Sequence, residues 1–185
     1  MKRMNGGQCV KEETIIMDDK AMQRAIARIS YEIIEHNKGV DNLCIVGIIS
    51  RGIEIAKRIA DKIYEVEGKI VPVGKLDITR HRDDKKVDEH QDKTDIDFDI
   101  KDKNVILVDD VIYTGRSVRA AIEAIMERGR PRRLELAALV DRGHRELPIR
   151  ADFVGKNLPT SRNETVKVLV KQFDGQDKVM ILKQE

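Results

Sequence analysis

From Asp18 onward the apolar residues Met22, Ile26, Ile29 and Ile33 return at intervals of four, three and four, the spacing that lines one face of an α-helix. Acidic residues open this stretch and Gly39 follows it, as expected of helix ends. The opposite face carries Arg24, Arg28, Tyr31, Glu32, Glu35 and His36, a pattern that ordinarily means a solvated surface. Residues 43–49 form a continuous branched apolar run that predicts a buried strand, and Ile55, Ile59 and Ile63 place residues 52–65 on a second amphipathic helix. Residues 69–76, 105–108 and 134–140 predict further buried strands, while residues 117–128 predict a helix stopped by Gly129 and Pro131. Strands alternating with helices of this length imply βαβ units, hence an α/β fold with a largely parallel sheet buried on both faces. Beyond Val140 the shorter candidates at 152–155, 165–172 and 179–182 suit a small annex or edge strands.

Two segments lack such patterning. Residues 79–99 are a dense mixture of Asp, Lys, His and Gln, which cannot bury enough surface to hold itself down and reads as a mobile loop or exposed hairpin. A loop of this length in a compact domain is either a lid over a site or a solvated insertion. Residues 83–103 hold nine acidic and five basic side chains, a balance of minus four, which leaves plus six on the rest of a chain whose net charge is +2. Residues 1–13 are polar, with a Gly-Gly pair and no periodicity, and are expected to be a frayed extension preceding a single domain over 14–185.

Composition narrows the class. A chain of 185 residues with 37% charged side chains suits one heavily charged soluble domain. There is no apolar run of membrane-spanning length and no signal-peptide core near the start. Cys9 and Cys44 are the two cysteines; they form neither a bridge framework nor a paired metal motif, so a cytoplasmic location is expected. The near-neutral balance gives no argument for a nucleic-acid partner by itself.

Candidate chemistry is concentrated in residues 105–117. There an apolar strand ends in the adjacent carboxylates Asp109 and Asp110 and passes through Val111, Tyr113, Thr114, Gly115, Arg116 and Ser117 into a helix. Ligands of open parallel sheets bind beyond the carboxyl ends of the strands, and a helix N-terminus offers a phosphate unpaired amides and partial positive charge. Gly115 lets the backbone approach a phosphate, with the hydroxyls of Thr114 and Ser117 as further donors. Asp109 and Asp110 would face the polyol or cation attached to it. The stretch contains neither a Gly-Lys-Ser/Thr closure nor Gly-x-Gly-x-x-Gly, so NTP hydrolysis and hydride transfer both lose ground. Taken alone, the Asp pair could be no more than a helix cap.

The whole string, four apolar residues, two acids, two apolar residues, a variable position, Thr-Gly and a hydroxyl, resembles the phosphoribosyl pyrophosphate (PRPP) motif of the type I phosphoribosyltransferases. That resemblance implies that Asp109 and Asp110 bind the ribose hydroxyls while Thr114, Gly115, Arg116 and Ser117 cradle the 5-phosphate. Ser50, Arg51 and Gly52 match the family's pyrophosphate loop, and residues 79–99 its flexible closing loop, with Arg80 and Arg82 as candidate contributors. Residues 140–161, together with Asn37-Lys38-Gly39, Asp77-Ile78-Thr79, Arg82-Asp83-Asp84 and Gly129-Arg130-Pro131, are similar to the family's bacterial regulators of pyrimidine-operon attenuation, which also carry uracil phosphoribosyltransferase activity. The likeness runs over residues 14–182. It implies the type I phosphoribosyltransferase fold with a small C-terminal hood, and the reaction of uracil with PRPP to give UMP and pyrophosphate.

In such a reaction carboxylates would stabilise an oxocarbenium-like ribose, Arg51 would hold the departing pyrophosphate and loop closure would exclude water. Asp109, Asp110 and Arg51 are the catalytic candidates. Mg2+ is expected to be bound mainly through PRPP or pyrophosphate rather than by side chains directly. Purine-directed relatives place an acid where this chain has Tyr113, which favours a pyrimidine substrate. The hood residues Asp141, Arg142, Phe153 and Val154 are the expected base pocket.

The same resemblance implies a second partner. With UMP or UTP in its pocket the protein would bind a leader mRNA hairpin of a pyrimidine operon, through a basic face that includes Arg28, Arg145, Arg150 and Lys156. Tyr31 and His36 are candidates for stacking and for hydrogen bonding to RNA. Ala27, Tyr31 and His36 stand where the family commonly has Thr, His and Arg. Homodimers are implied, with homotetramers or hexamers as larger assemblies. A salvage enzyme without RNA regulation, or a transferase for another base such as hypoxanthine, are the alternatives.

Overall fold

The computed structural model describes residues 10–83 and 91–184. Thirteen elements follow in sequence, of which twelve are labelled below and one is a 3-10 turn, Thr79–His81. They are β1 (Val10–Met17), α1 (Asp19–Asn37), β2 (Leu43–Ile48), α2 (Arg51–Glu67), β3 (Val73–Leu76), β4 (Asn104–Ile112), α3 (Arg116–Arg128), β5 (Arg133–Asp141), β6 (Phe153–Asn157), β7 (Glu164–Leu169), α4 (Lys171–Asp174) and β8 (Lys178–Gln184).

The main sheet has the order β3-β2-β4-β5-β6, and every neighbouring pair is parallel. Alternation along the strands sends Ile45, Ile106, Val108, Ala137, Leu139 and Phe153 to one face, where they pack with Met22, Ile29, Ile33, Ile55, Ile59 and Ile63 of α1 and α2. Cys44, Val46, Val105, Leu107, Leu136 and Ala138 face the other side, against Val118, Ala121 and Ile125 of α3. Burial on both faces explains why these strands read as unbroken apolar runs. Burial pushes the Cys44 thiol up to about 11, so it packs as a small hydrophobe.

Asp18 caps α1 by accepting the Ala21 amide at 2.7 Å, and Lys38 closes it in the left-handed conformation with φ 54°. A second, antiparallel sheet has the order β1-β8-β7. The late segments thus divide: β6 is an edge strand of the main sheet, whereas β7 and β8 build the annex. β1 pairs with β8 from Val10 to Met17, so residues 10–13, expected to belong to a frayed extension, are strand. Sequence alone could not show this, because their partner lies at the far end of the chain. Residues 1–9, including Cys9, lie outside the described residues.

The loop expected over 79–99 falls partly on residues 84–90, also outside the described residues. Its return limb folds back on the sheet: Lys75 and Asp95 exchange both backbone hydrogen bonds at 2.9 Å, and Ile96 and Phe98 pack against the α3-side core. Asp77 staples the two limbs together. It accepts the Thr79 amide at 3.0 Å, the Thr79 hydroxyl at 2.6 Å and the Lys93 amide at 3.2 Å, while its own amide donates to the Thr94 hydroxyl at 3.0 Å.

Candidate active site

Strand order reverses between β2 and β4, since the chain leaves β2 toward β3 and leaves β4 toward β5. A ligand crevice opens at such a point beyond the carboxyl ends of the strands. Both helices that follow start there without a side-chain cap, α2 after Ser50 and α3 after Gly115. Apart from that of Arg116, which reaches the Thr114 hydroxyl, their first amides are left for an anion. Gly115 has φ 93°, a conformation glycine adopts without steric cost. At Gly52 any Cβ would lie 2.5 Å from the Val108 carbonyl oxygen, so only glycine brings α2 this close to β4. The Ile49–Ser50 peptide is cis.

Asp109 and Asp110 lie within β4, and the N-cap of α3 is Gly115, so the carboxylates are not helix caps. Asp109 Oδ1 accepts the Asp110 amide and Asp110 Oδ1 the Val111 amide, both at 2.9 Å. Asp109 is 7% exposed; burial and the adjoining Asp110 carboxylate push its carboxyl well above the usual range, with Arg82 opposing the shift. Thr114 Oγ1 accepts the Arg116 amide at 3.4 Å.

Two adjoining cavities of about 300 and 400 Å³ meet along Arg82, Asp109, Val111 and Ser117. The smaller is walled by Tyr113, Thr114, Gly115, Arg116 and Glu146, the larger by Ser50, Arg51, Asp77, Thr79, Lys93 and Asp110. The segments predicted from separate parts of the sequence thus enclose one space. Arg116 sits on its rim, in ion pairs with Asp83 and Glu146 at 2.8 Å each. Arg51 forms a two-point ion pair with Asp174 of α4, at 3.1 Å through Nε and 2.8 Å through Nη2. Arg80 lies in the 3-10 turn and lines neither cavity. Among the described residues no group of three or more His, Cys, Asp or Glu side chains could hold a metal.

The expected base pocket divides. Asp141 ends β5 at the cleft edge of the sheet, and buried Arg142 lies 3.9 Å from the centroid of the Tyr113 ring while donating to the Glu164 carbonyl at 2.7 Å. Phe153 and Val154 do not join them. They begin β6, paired with Ala137 and Ala138, and it is Asn157 that reaches the level of Asp141. At ~3.3 Å per residue, Phe153 lies roughly 13 Å back along the strand. Its ring packs in the α1-side core, edge-on to His36.

The expected RNA residues divide as well. Arg145 is not an open surface cation: it donates to the carbonyls of Ile149 at 2.9 Å, Tyr113 at 2.7 Å, Gly143 at 3.3 Å and Ile112 at 3.4 Å, and to Asp141 at 2.6 Å. It fastens the connection between β5 and β6 to the end of β4 and the turn after it. Arg28 donates to the carbonyls of Val154 at 3.2 Å and of Gly155, and to Glu32 at 3.0 Å, tying α1 to β6. His36 lies 2.9 Å from the Glu135 carboxylate. Tyr31 is 52% exposed, and Arg150 and Lys156 are exposed. Side chains alternate along a strand, so Lys156 points away from the Phe153 side on which α1 packs.

A family model described as the phosphoribosyl transferase domain matches residues 13–173. The chain belongs to the phosphoribosyl transferase family. It is 58% identical over 171 residues to the bifunctional protein PyrR of Limosilactobacillus fermentum, covering 90% of this chain and 96% of that protein. It is 60% identical over 169 residues to the bifunctional protein PyrR of Acetivibrio thermocellus, covering 90% and 92%. Among solved structures, the fold is similar to hypoxanthine phosphoribosyltransferases of Trypanosoma cruzi and Staphylococcus aureus. The TM-scores are 0.71 and 0.69 at 16% and 18% identity, over 93% and 100% of this chain and 97% and 98% of those chains. The type I phosphoribosyltransferase fold is thereby established, with the β1-β8-β7 sheet as its hood. No helix among the described residues is long and apolar enough to cross a membrane.

Asp77, Lys93, Glu146 and Asp174 were not assigned to the site from sequence. Asp77 stood in a quoted motif without a role, and Lys93 was one charge among many. Asp174 reaches Arg51 across 123 positions, a separation no local pattern reveals.

Proposed function

We propose that this phosphoribosyl transferase converts uracil and PRPP to UMP and pyrophosphate, and that with uridine nucleotide in the same cleft it binds a leader mRNA hairpin to favour transcription termination in a pyrimidine operon. The observation that carries the reading is the meeting of residues 50–51, 77–79, 82 and 109–117 around one space at the strand-order reversal. The PyrR relatives, bifunctional by name, support its two parts.

The 5-phosphate sits on the uncapped start of α3, taking amides of residues 115–118 and the hydroxyls of Thr114 and Ser117. Asp109 and Asp110 hold the ribose hydroxyls, and the Asp110 carboxylate stabilises the oxocarbenium-like sugar as the bond to pyrophosphate breaks. Arg51, at the uncapped start of α2, receives the pyrophosphate with Lys93 opposite. With no carboxylate cluster able to hold a metal among the described residues, a hard cation would be held mainly by the phosphates that carry it in. Magnesium, when bound, neutralises the leaving pyrophosphate. Tyr113 and Arg142 border the space left for the base, and the position of a purine-directed acid is an aromatic ring. Arg28, Tyr31, Arg150 and Lys156 serve RNA on a face assembled from two copies of the chain in a homodimer.

The test is a base-competition assay with PRPP and Mg2+. UMP and pyrophosphate should form in equal amounts from uracil, and excess hypoxanthine should leave the rate unchanged. Preferential consumption of hypoxanthine would replace uracil as the substrate.

A further inference from the structure

We infer that Asp174 is a positioning residue for pyrophosphate: from the one-turn helix between β7 and β8 it holds the Arg51 guanidinium by two points and leaves its remaining donors for the cleft. The inference rests on the assignment of Arg51 to pyrophosphate made above. A guanidinium has five N–H donors in a rigid plane. Asp174 takes Nε at 3.1 Å and one donor of Nη2 at 2.8 Å, which leaves three donors, including both on Nη1, with no hydrogen-bond partner among the described residues. Arg51 lines the same cavity as Asp110 and Lys93. A long side chain fixed before the ligand arrives loses less rotamer freedom on binding it.

Asp174 is itself fixed. Its Oδ2 accepts the amide of fully buried Val170 at 2.8 Å, so the carboxylate is anchored to the core rather than trailing after the arginine. The Arg51 hydrogen bond holds its carboxyl below the ordinary range, and the pair stays ionised at neutral pH.

A neighbouring pair separates positioning from bracing. Two turns along α2, Arg58 makes an equivalent fork with Asp177, at 2.9 Å on both arms, and Asp177 accepts the Lys171 amide at 2.7 Å. Both forks strap the same turn to the same helix, but Arg58 lines neither cleft cavity. If the straps only brace the hood, the two should be equivalent.

The experiment compares Asp174→Asn, Asp177→Asn, Arg51→Ala and Arg51→Ala/Asp174→Asn in the full chain, reading pyrophosphate binding by calorimetry with magnesium present, and thermal midpoints. Asp174→Asn should weaken pyrophosphate binding about ten-fold, the size of effect expected when a charge-assisted, two-point contact is lost. Asp177→Asn should lower the midpoint and leave pyrophosphate binding within about two-fold. Asp174→Asn should add nothing in the Arg51→Ala background, because its effect passes through that side chain. Equal pyrophosphate loss in Asp174→Asn and Asp177→Asn, or an unchanged affinity in Asp174→Asn while Arg51→Ala is weakened, overturns the inference. Unchanged binding in Arg51→Ala overturns the assignment of Arg51 beneath it.

Discussion

The cleft and the basic residues of α1 and the β5–β6 region use the same kinds of side chain to opposite ends. In the cleft two helices begin without caps, two carboxylates stand side by side and Arg51 keeps donors unspent. Arg51 there is held but not fully satisfied, the condition in which a ligand gains hydrogen bonds without displacing protein ones. On α1 and in the β5–β6 connection, Arg28, Arg145 and His36 are bonded to carbonyls or carboxylates of the fold itself. Arg150 and Lys156 are exposed and make no such bond among the described residues. Charge in a sequence therefore does not reveal which arginines bind ligands; the acceptors that the fold brings to them decide it.

This contrast is broken most directly at Asp110. Replacement with Asn should lower turnover by about a hundred-fold or more, as for loss of a group acting on transition-state charge, while RNA affinity in the presence of UMP stays within about three-fold. An equal deficit in both assays would mean that catalysis and recognition cannot be separated. Gly52→Ala should be next in size. The added methyl collides with the Val108 carbonyl, so α2 must back away from β4 at a cost of ~1–3 kcal/mol, seen as a lower thermal midpoint and a raised KM for PRPP.

Arg145 and Arg150 sharpen the comparison from the other side. Arg145→Ala removes four part-buried hydrogen bonds and one exposed one and should destabilise the chain by about 1–3 kcal/mol, impairing PRPP binding along with RNA binding. Arg150→Ala should leave stability and transfer intact and weaken RNA alone, with the salt slope of binding falling by about one unit if it neutralises one phosphate. Matching profiles for the two variants would contradict the division into committed and open arginines.

The smallest expected effect is a pH dependence at Asp109. Its folded-state carboxyl is raised, so the folded chain holds a proton that the unfolded chain has released, and stability falls as pH rises from the ordinary carboxylate range through the raised value. Asp109→Asn should therefore raise the thermal midpoint at pH 7, with the gain shrinking as pH is lowered toward ~4. A gain independent of pH would place the effect in packing rather than charge.

The parallel core was legible because strands buried on both faces leave unbroken apolar runs and α1 to α3 leave clean stripes. The cavity-lining stretch of residues 109–117 was legible because its small residues and acids are contiguous. What escaped detection depended on distance. The pairing of residues 10–13 with β8, the Arg51–Asp174 fork and the end of β6 that reaches the cleft are all set by tertiary register. Phe153 was misplaced for that reason: an aromatic residue in the right strand sits at the wrong end of it, and the strand's direction is fixed only once it pairs with β5.

The proposal that one cleft serves both transfer and nucleotide sensing is tested most directly by filter binding of a pyrimidine-operon leader hairpin, with and without UMP at fixed salt. UMP should tighten RNA binding, and PRPP should compete with UMP for this effect. RNA binding indifferent to UMP, or absent in a preparation that still makes UMP from uracil and PRPP, would contradict it.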